Sequence, residues 1–212
     1  MIAEREQGLK ALVESTDAER KRIASELHDG VGQLLTGLKY RVEAAVKDRP
    51  ELKDVLTLAD DASREVRGIA HRMMPRALGD LGLAPALAYM LDKSLKLPGM
   101  HHNFEHFGLE QRLPHHMETG VYRIAQELLN NTIKHAQAQN VQVQLLRNKG
   151  HLVLIMEDDG VGIDPARATN GMGLRGLRDR ARVLHGTLDI EPGVDRGTIA
   201  TLRVPLTNGN ST

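Results

Sequence analysis

The sequence predicts an α+β protein in two parts, an antiparallel helical hairpin followed by an α/β sandwich with a mixed sheet. Three observations predict this class. Residues 16–75 carry two stretches with apolar residues at every third or fourth position, which is the period of one helix face. Residues 76–206 contain strand patterns that do not alternate regularly with helices. The pattern changes near residues 75–82, where we place the domain boundary.

The two helical stretches each carry one apolar stripe. Asp48 and Pro50 end the first helix, and Pro75 ends the second. Two joined amphipathic helices leave apolar surface uncovered, and alternating steps of three and four are typical of a helix-on-helix seam. We therefore expect a homodimer that forms a four-helix bundle; the alternative is a monomeric hairpin capped by the second domain. The stripes are Ile23, Leu27, Val31, Leu34, Leu38, Val42 and Ala45, and Leu52, Val55, Ala59, Ala62, Val66, Ile69 and Met73.

The second domain is predicted to begin with a glycine-punctuated linker at 76–82 and to end before a disordered tail at 207–212. A polar, helix-prone connector at 1–15 precedes the hairpin. We expect helices at 83–96, 114–136 and 174–185 and strands at 102–107, 141–147, 152–157, 187–191 and 198–204.

Charge and composition disfavour several classes of function. Lys plus Arg and Asp plus Glu both total 28, so the chain lacks the broad positive field that attracts nucleic acid, and we expect no direct nucleic-acid binding. The absence of cysteine removes disulfides and thiol nucleophiles and fits a reducing cytoplasm. No run reaches the roughly 18 to 20 apolar residues that span a bilayer. We expect a cytoplasmic chain without a membrane segment, and a membrane anchor elsewhere in a longer protein stays open.

A His-Asp pair lies at the edge of the first stripe, in ERKRIASELHDGVGQ. His28 follows Leu27 of the stripe, and Asp29 follows His28. A neutral imidazole can attack phosphorus through one nitrogen while a carboxylate on the other nitrogen fixes the tautomer. Adjacent helix positions point about 100° apart, so the spacing alone does not ensure that contact. The alternative is an ordinary surface pair.

Three segments of the second domain have the residue types of a nucleotide site. Glu127, Asn131 and His135 are spaced i, i+4, i+8 on a predicted helix, with Lys134 beside them, which predicts one polar stripe. DDGVGID places Asp158 at a strand end before a turn with little side-chain bulk. GMGLRGLRDRA opens a helix with glycines, and exposed N–H groups at a helix start favour phosphate. Alone, each segment also fits a solvated face, a plain turn or a flexible connection.

Together these segments resemble a known architecture. QELLNNTIKHA, DDGVGID, GMGL and the late Gly197-Thr198 occur in the order and spacing of the N, G1 and G2 boxes and final strand of the GHKL (Bergerat-fold) ATP-binding domain. ERKRIASELHDGVGQLL and LGDLGLAPAL look like the phosphoacceptor and linker segments of sensor histidine kinases of the NarX/DesK type. The resemblance covers about residues 16–206. The short lid between Asp164 and Gly173, without a phenylalanine-bearing box, is typical of this subfamily.

The resemblance implies a role in ATP and Mg²⁺ binding for each matching residue. Asn131 would coordinate Mg²⁺, and Glu127 would orient Mg²⁺ or the imidazole, although it activates water in the family's ATPases. Asp158 would accept from the adenine amino group, and Thr198 would support it from the sheet. The base pocket would be shaped by Gly160 and Gly162, and the phosphates would lie near Lys134, His135, Gly171, Gly173 and Leu174.

The resemblance also implies a reaction, which is autophosphorylation of His28 beside Asp29 and transfer to a response-regulator aspartate. The regulator would carry a receiver domain and a LuxR-type DNA-binding output. Gln33 matches the family position that supports dephosphorylation of the regulator, with an exposed helix glutamine as the alternative. Gly30 and Gly32 each cost about 1 kcal/mol in a helix; they either open space beside His28 for the lid or a receiver domain, or mark a local helix irregularity.

Two other classes of function remain open. A GHKL ATPase or protein serine kinase would use the same nucleotide boxes, but those classes lack the His-Asp helix. A non-enzymatic dimerisation module with a decayed nucleotide fold would not bind ATP.

Overall fold

The computed structural model describes residues 2–47, 49–73, 76–96, 98–148, 150–163 and 172–206. Residues 10–76 form a helical unit, and residues 77–212 group with residues 1–9 into an α/β unit. The predicted class, a helical hairpin followed by an α/β sandwich, is confirmed. Outside the described residues lie Asp48, Pro75, Gly171 and the predicted tail at 207–212.

Residues 10–76 contain two long helical segments, of which the first begins before residue 10. Helix α1 (Ile2–Glu26) continues through a π-helical turn (Leu27–Val31) into α2 (Gly32–Val46) without a break. A 3₁₀ turn (Pro50–Leu52) then leads to α3 (Lys53–Met73), which packs against α2. The π turn covers the His-Asp-Gly segment, so the predicted alternative of a local helix irregularity is present at Gly30, while Gly32 is the first residue of α2.

The apolar stripes of the hairpin are only partly covered within one chain. None of the described residues of α2 is buried. Leu34 keeps 75% and Leu58 keeps 68% of its surface exposed. Ala59 and Ser63 are the residues of α3 that pack closely enough to be buried beside α2, with Ala70 further along the same helix. The hairpin therefore has a narrow core of small side chains and exposes several large apolar ones.

The α/β unit contains a five-stranded mixed sheet with the strand order β1-β2-β3-β5-β4. Strands β1 and β2 are parallel, and the other neighbouring pairs are antiparallel. The elements in chain order are α4 (Arg76–Leu81), α5 (Leu83–Ser94), β1 (His101–Phe107), α6 (His115–Asn131), a π turn (Thr132–Ala136), β2 (Asn140–Arg147), β3 (His151–Asp158), α7 (Met172–Val183), β4 (Thr187–Pro192) and β5 (Thr198–Pro205).

The core of this unit lies between one face of the sheet and its helices. Strands β2 and β3 bury every second residue, which is the period of a sheet with one covered face. Leu87 of α5 and Ile124 of α6 are fully buried against this face, and Leu177 of α7 is 3% exposed. None of the helices in the described ranges is both long enough and apolar enough to cross a bilayer.

The segment 76–82 was predicted to be a glycine-punctuated linker, but most of it forms helix α4. The Arg112 guanidinium donates to the backbone carbonyls of Leu78 at 3.0 Å and Gly79 at 3.1 Å. Glu118, which is buried, accepts from Nε of Arg112 at 2.9 Å. Gly82 ends the segment with a φ of +94°, a conformation that favours glycine. These partners are distant in sequence, so local composition did not predict the helix.

We expect alanine at Gly30 or Gly32 to stabilise the helical unit. No described atom outside the local helix backbone lies within 4 Å of a Cβ built at Gly30, and at Gly32 the nearest is the Leu27 carbonyl oxygen at 3.5 Å. Each substitution should therefore add about 1 kcal/mol to the free energy of unfolding. Far-UV circular dichroism in urea, at fixed protein concentration, measures this change.

Gly37→Ala is the matched control, since Gly37 lies in regular α-helix with equally open space. If alanine at Gly30 and Gly32 increases the free energy of unfolding as much as alanine at Gly37 does, the π turn does not need glycine. A loss of stability at either position would contradict the expectation.

Candidate active site

Helix α6 positions the first part of the candidate site at its C-terminal end. The residues that were predicted to face the sheet are buried: Met117, Val121, Ile124 and Leu128. Glu127 is exposed and Asn131 is half-buried, one helical turn apart at the end of α6. The burial of one face thus leaves the two oxygen-bearing side chains on the edge that solvent reaches.

The predicted polar stripe does not continue to His135 with α-helical spacing. The chain changes to a π turn at Thr132, where the backbone N–H bonds to the carbonyls of both Leu128 and Leu129. A π turn holds more residues than an α turn, so Lys134 and His135 are displaced around the helix axis from the line through Glu127 and Asn131. Both are exposed.

Asp158 is a buried carboxylate at the end of β3. It is 7% exposed. Its Oδ1 accepts from the backbone N–H of Gly160 at 3.0 Å, and its Oδ2 accepts from the Thr132 hydroxyl at 3.3 Å. Asp158 is also paired in register with Thr198 of β5. The structure therefore brings together four segments of the candidate site around one carboxylate: the π turn, β3, the loop after it and the start of β5.

Burial raises the pKa of Asp158 above its ordinary value, because it penalises the charged form. Hydrogen bonds from the backbone of Gly160, the Thr132 hydroxyl and the backbone of Thr198 favour the charged form and oppose this rise, whereas the neighbouring Asp159 adds to it. A carboxylate has about four acceptor positions. Asp158 can therefore accept another donor, such as the amino group of a base.

Glycines let the backbone segments around Asp158 approach one another. A Cβ at Gly160 would overlap the carbonyl oxygen of Ala136, and Val161 N–H donates to that same oxygen at 2.8 Å. Gly197 has a φ of +81°, and a Cβ there would overlap the carbonyl oxygen of Asp158. The close approach at Gly160 is thus to the protein's own backbone. A base contact at Gly160 or Gly162 stays a prediction.

Asp159 is a residue that the sequence reasoning missed. Its Oδ1 accepts from the backbone N–H groups of Gln139 at 2.8 Å and Asn140 at 2.9 Å. Its Oδ2 accepts from Nδ2 of Asn140 at 2.8 Å and Nη2 of Arg196 at 2.7 Å. These four donors hold the pKa of Asp159 well below its ordinary value, with the Asn140 side chain contributing most. The only local signal was the second carboxylate in DDG, because its partners are distant in sequence.

The candidate phosphate segment is described from α7 onward. Gly173 is exposed in the first turn of α7, and Leu174 is half-buried against the core. No described atom outside the local helix backbone lies within 4 Å of a Cβ built at Gly173. The N-terminus of a helix favours anions. A role of Gly173 and Leu174 near phosphate stays a prediction, as does that of Gly171 outside the described residues.

The His-Asp pair lies in the π turn of the helical unit. The backbone of His28 is part of that turn, and its side chain is outside the described part of the structure. Asp29 is exposed, and its Oδ2 accepts from the Ser25 hydroxyl at 3.0 Å. Gln33 is exposed in the first turn of α2. Part of the π turn lies between Asp29 and Gln33, because the turn ends at Val31. Their spacing of four residues therefore does not by itself place them on the same side of the helix.

We expect Asp158→Asn to change the pH dependence of stability without nucleotide. A raised folded-state pKa means that Asp158 contributes stability below the unfolded-state pKa, and that this contribution is lost as pH rises through the folded value. The melting temperature of Asp158→Asn minus that of wild type should therefore increase as the pH rises from about 4 to about 7. Calorimetry measures both proteins.

Asp189→Asn is the control for loss of a carboxylate, because Asp189 lies exposed on β4, 3.6 Å from Arg203. If the difference in melting temperature between Asp158→Asn and wild type stays constant across this pH range, the raised pKa of Asp158 is contradicted.

Two family models match the two units of the chain. HATPase_c, which covers histidine kinase-, DNA gyrase B- and HSP90-like ATPases, matches residues 116–208. The histidine kinase family HisKA_3 matches residues 19–78. The first match contains α6 except its first residue, the buried Asp158 and the loops around it, and the second contains the π turn with the His-Asp pair.

Individual relatives cover both units together. The chain is 35% identical to the oxygen sensor histidine kinase NreB of Staphylococcus carnosus over 94% of this chain and 60% of NreB. It is 31% identical to the signal transduction histidine-protein kinase/phosphatase DegS of Brevibacillus brevis over 92% of this chain and 53% of DegS. The chain thus spans little more than half the length of these relatives.

A solved structure has the same fold. The histidine kinase domain of the Erythrobacter litoralis EL346 blue-light activated histidine kinase superposes with a TM-score of 0.55 at 20% identity, covering 90% of this chain and 94% of that domain. By the two family matches and these relatives, the chain belongs to the sensor histidine kinases that join a HisKA_3 region to an HATPase_c domain.

Proposed function

We propose that this chain is the catalytic core of a dimeric sensor histidine kinase, which uses ATP to phosphorylate His28. One observation carries the proposal: a single chain contains both a His-Asp pair in a HisKA_3 region and a buried strand-end carboxylate in an HATPase_c domain. Residues 16–75 would serve dimerisation and phosphotransfer, and residues 76–206 would bind ATP. A cytoplasmic location is part of the proposal, because the reaction needs ATP.

The proposed reaction moves the γ-phosphoryl group from ATP to a histidine nitrogen. A nitrogen of the neutral His28 imidazole bonds to the γ-phosphorus while the bond from that phosphorus to the bridging oxygen breaks and ADP leaves. Asp29 accepts a hydrogen bond from the other imidazole nitrogen and stabilises the imidazolium that develops. The Ser25 hydroxyl donates to Oδ2 of this carboxylate at 3.0 Å, one helical turn before the His-Asp pair.

Adenine recognition is proposed for Asp158. Its carboxylate is buried, keeps acceptor capacity and is held by three different segments. An acceptor fixed in this way suits the exocyclic amino group of adenine, and Thr198 supports it from the sheet. Lys134, His135 and the first turn of α7 would then serve the phosphates, where positive charge and free N–H groups are favourable.

Magnesium is proposed at the end of α6, and the residues there fit the ion. Mg²⁺ takes hard oxygen ligands and usually binds through one or two side chains together with substrate phosphates and water. Glu127 and Asn131 offer a carboxylate and an amide oxygen one turn apart on the edge that solvent reaches. When bound, the ion would neutralise charge on the phosphates.

Homodimerisation is proposed for the hairpin because its apolar stripes are incomplete within one chain. Leu34 and Leu58 keep most of their surface exposed, and Val31, Leu38 and Val55 are also exposed. A second copy would cover these side chains in a four-helix bundle. The phosphoryl group of His28 would pass to the receiver-domain aspartate of a response regulator with a LuxR-type output.

Labelling with γ-labelled ATP and Mg²⁺ tests the proposed kinase activity. We expect His28→Gln to abolish the covalent label because the nucleophile is lost. ATP affinity should stay nearly unchanged, because His28 is not part of the HATPase_c match. Radiolabel retention and displacement of a fluorescent nucleotide measure the two effects.

His116→Gln is the control, since His116 is exposed at the start of α6. Acid-labile, alkali-stable label that persists in His28→Gln would refute the assignment. Phosphate release from ATP without any protein label would instead indicate an ATPase.

Gln33 is proposed to support dephosphorylation of the regulator, and the relative DegS is a histidine-protein kinase/phosphatase. We expect Gln33→Ala to keep His28 labelling but to slow loss of phosphate from the regulator by on the order of tenfold to a hundredfold, because a water-positioning amide is removed. Decay of the phosphorylated regulator measures this rate. Arg41→Ala, at another exposed position of α2, is the control. Equal decay with all three proteins would leave Gln33 as a surface residue.

A further inference from the structure

The backbone segments around Asp158 lie in close contact with one another. The carbonyl of Ala136 lies against Gly160, and the carbonyl of Asp158 lies against Gly197. Both glycines leave no room for a side chain. A shift of any of these segments would therefore move the carboxylate or open the contacts that orient it.

Asp159 is the side chain that ties these segments together. Through Gln139 and Asn140 it holds the chain between the π turn and β2, and through Arg196 it holds the turn between β4 and β5. The backbone N–H of Asp159 also donates to the carbonyl of Asn140 at 3.2 Å. A single carboxylate thus fixes the loop after β3 to the segments on both of its sides.

The chemistry of these bonds makes the tie strong and directional. Hydrogen bonds to an ionised carboxylate are roughly twice as strong as neutral ones, and Asp159 accepts four. Three of the donors come from Gln139 and Asn140, which leaves little rotational freedom. The Arg196 side chain is 63% exposed, so its ion pair contributes less than the donors of the adjacent loop.

We propose that Asp159 is a positioning residue for base recognition: it fixes the loop so that Asp158 presents its carboxylate to adenine at one distance and angle, without touching the nucleotide itself. This inference rests on the proposed adenine role of Asp158. Guanine carries a carbonyl where adenine carries its amino group, so a fixed carboxylate accepts from adenine and repels guanine. Discrimination of this kind falls when the acceptor can move.

The test compares ATP and GTP as competitors for a bound fluorescent nucleotide, using the 212-residue chain. The measurement is made well below the melting temperature of the least stable variant. We expect Asp159→Ala to weaken ATP binding about tenfold and to leave GTP binding nearly unchanged, so the preference for ATP falls by the same factor. Arg196→Ala should weaken ATP binding at most about fivefold.

Two further variants separate positioning from general stability. Asp159→Asn keeps an oxygen for the N–H groups of Gln139 and Asn140 but turns an amino group toward the Asn140 and Arg196 donors, so its preference for ATP should lie between Asp159→Ala and wild type. Asp189→Ala removes an exposed carboxylate from the same sheet, 3.6 Å from Arg203, and should keep the wild-type preference.

Three results would overturn the inference. Asp159→Ala could bind ATP as tightly as Asp189→Ala, or it could lose ATP and GTP affinity by one common factor, which a purely structural role predicts. If Asp159→Ala does not fold, an unchanged ATP preference in both Asp159→Asn and Arg196→Ala overturns it. Nucleotide displacement requires no phosphorylation, so absence of label on His28 in wild type would count against the proposed kinase activity alone.

Discussion

Burial of the Asp158 carboxylate is the constraint on which the loop geometry of the α/β unit depends. Removing a carboxylate from water is costly unless donors replace the lost solvent. The donors here come from the π turn after α6, the loop after β3 and the start of β5. Because each donor belongs to a different segment, satisfying one side chain forces the three segments to converge. Burial is unfavourable for the free carboxylate because it removes water molecules that would donate hydrogen bonds. A donor group of a ligand can take the place of that water.

Convergence also explains why two adjacent carboxylates behave differently. Burial raises the pKa of Asp158, whereas four donors hold that of Asp159 well below its ordinary value. Without those donors two neighbouring negative charges would repel each other at the end of one strand. Backbone N–H groups, an amide and a guanidinium stabilise the negative charge of Asp159. Both carboxylates can therefore lie at the end of one strand. The glycines at 160 and 197 complete the arrangement by letting carbonyl oxygens approach where a Cβ would overlap.

Sequence reasoning succeeded where the physical signal is local and periodic. The stripe through Val121 and Ile124 and the alternation in β2 and β3 follow directly from helix and strand geometry, and they predicted the elements and the covered face. It failed where distant residues decide. Helix α4 is held by Arg112 and Glu118, and the role of Asp159 depends on Arg196, 37 positions away. The π turn at Thr132–Ala136 escaped prediction because α-helical spacing was extended through it, whereas a helix irregularity near Leu27–Val31 was one of two alternatives.

The two units differ in how complete their cores are, and this difference has a functional consequence. The α/β unit buries large side chains such as Leu87 and Ile124 completely, whereas α2 buries none of its described residues. The folding free energy of the α/β unit therefore comes largely from contacts inside that unit. The folding free energy of the hairpin depends on what covers Leu34 and Leu58. Any partner that binds the folded hairpin, including a second copy, then increases the stability of the segment that carries His28. The geometry around His28 is for this reason open to control by association, whereas the contacts that hold Asp158 are made inside the α/β unit.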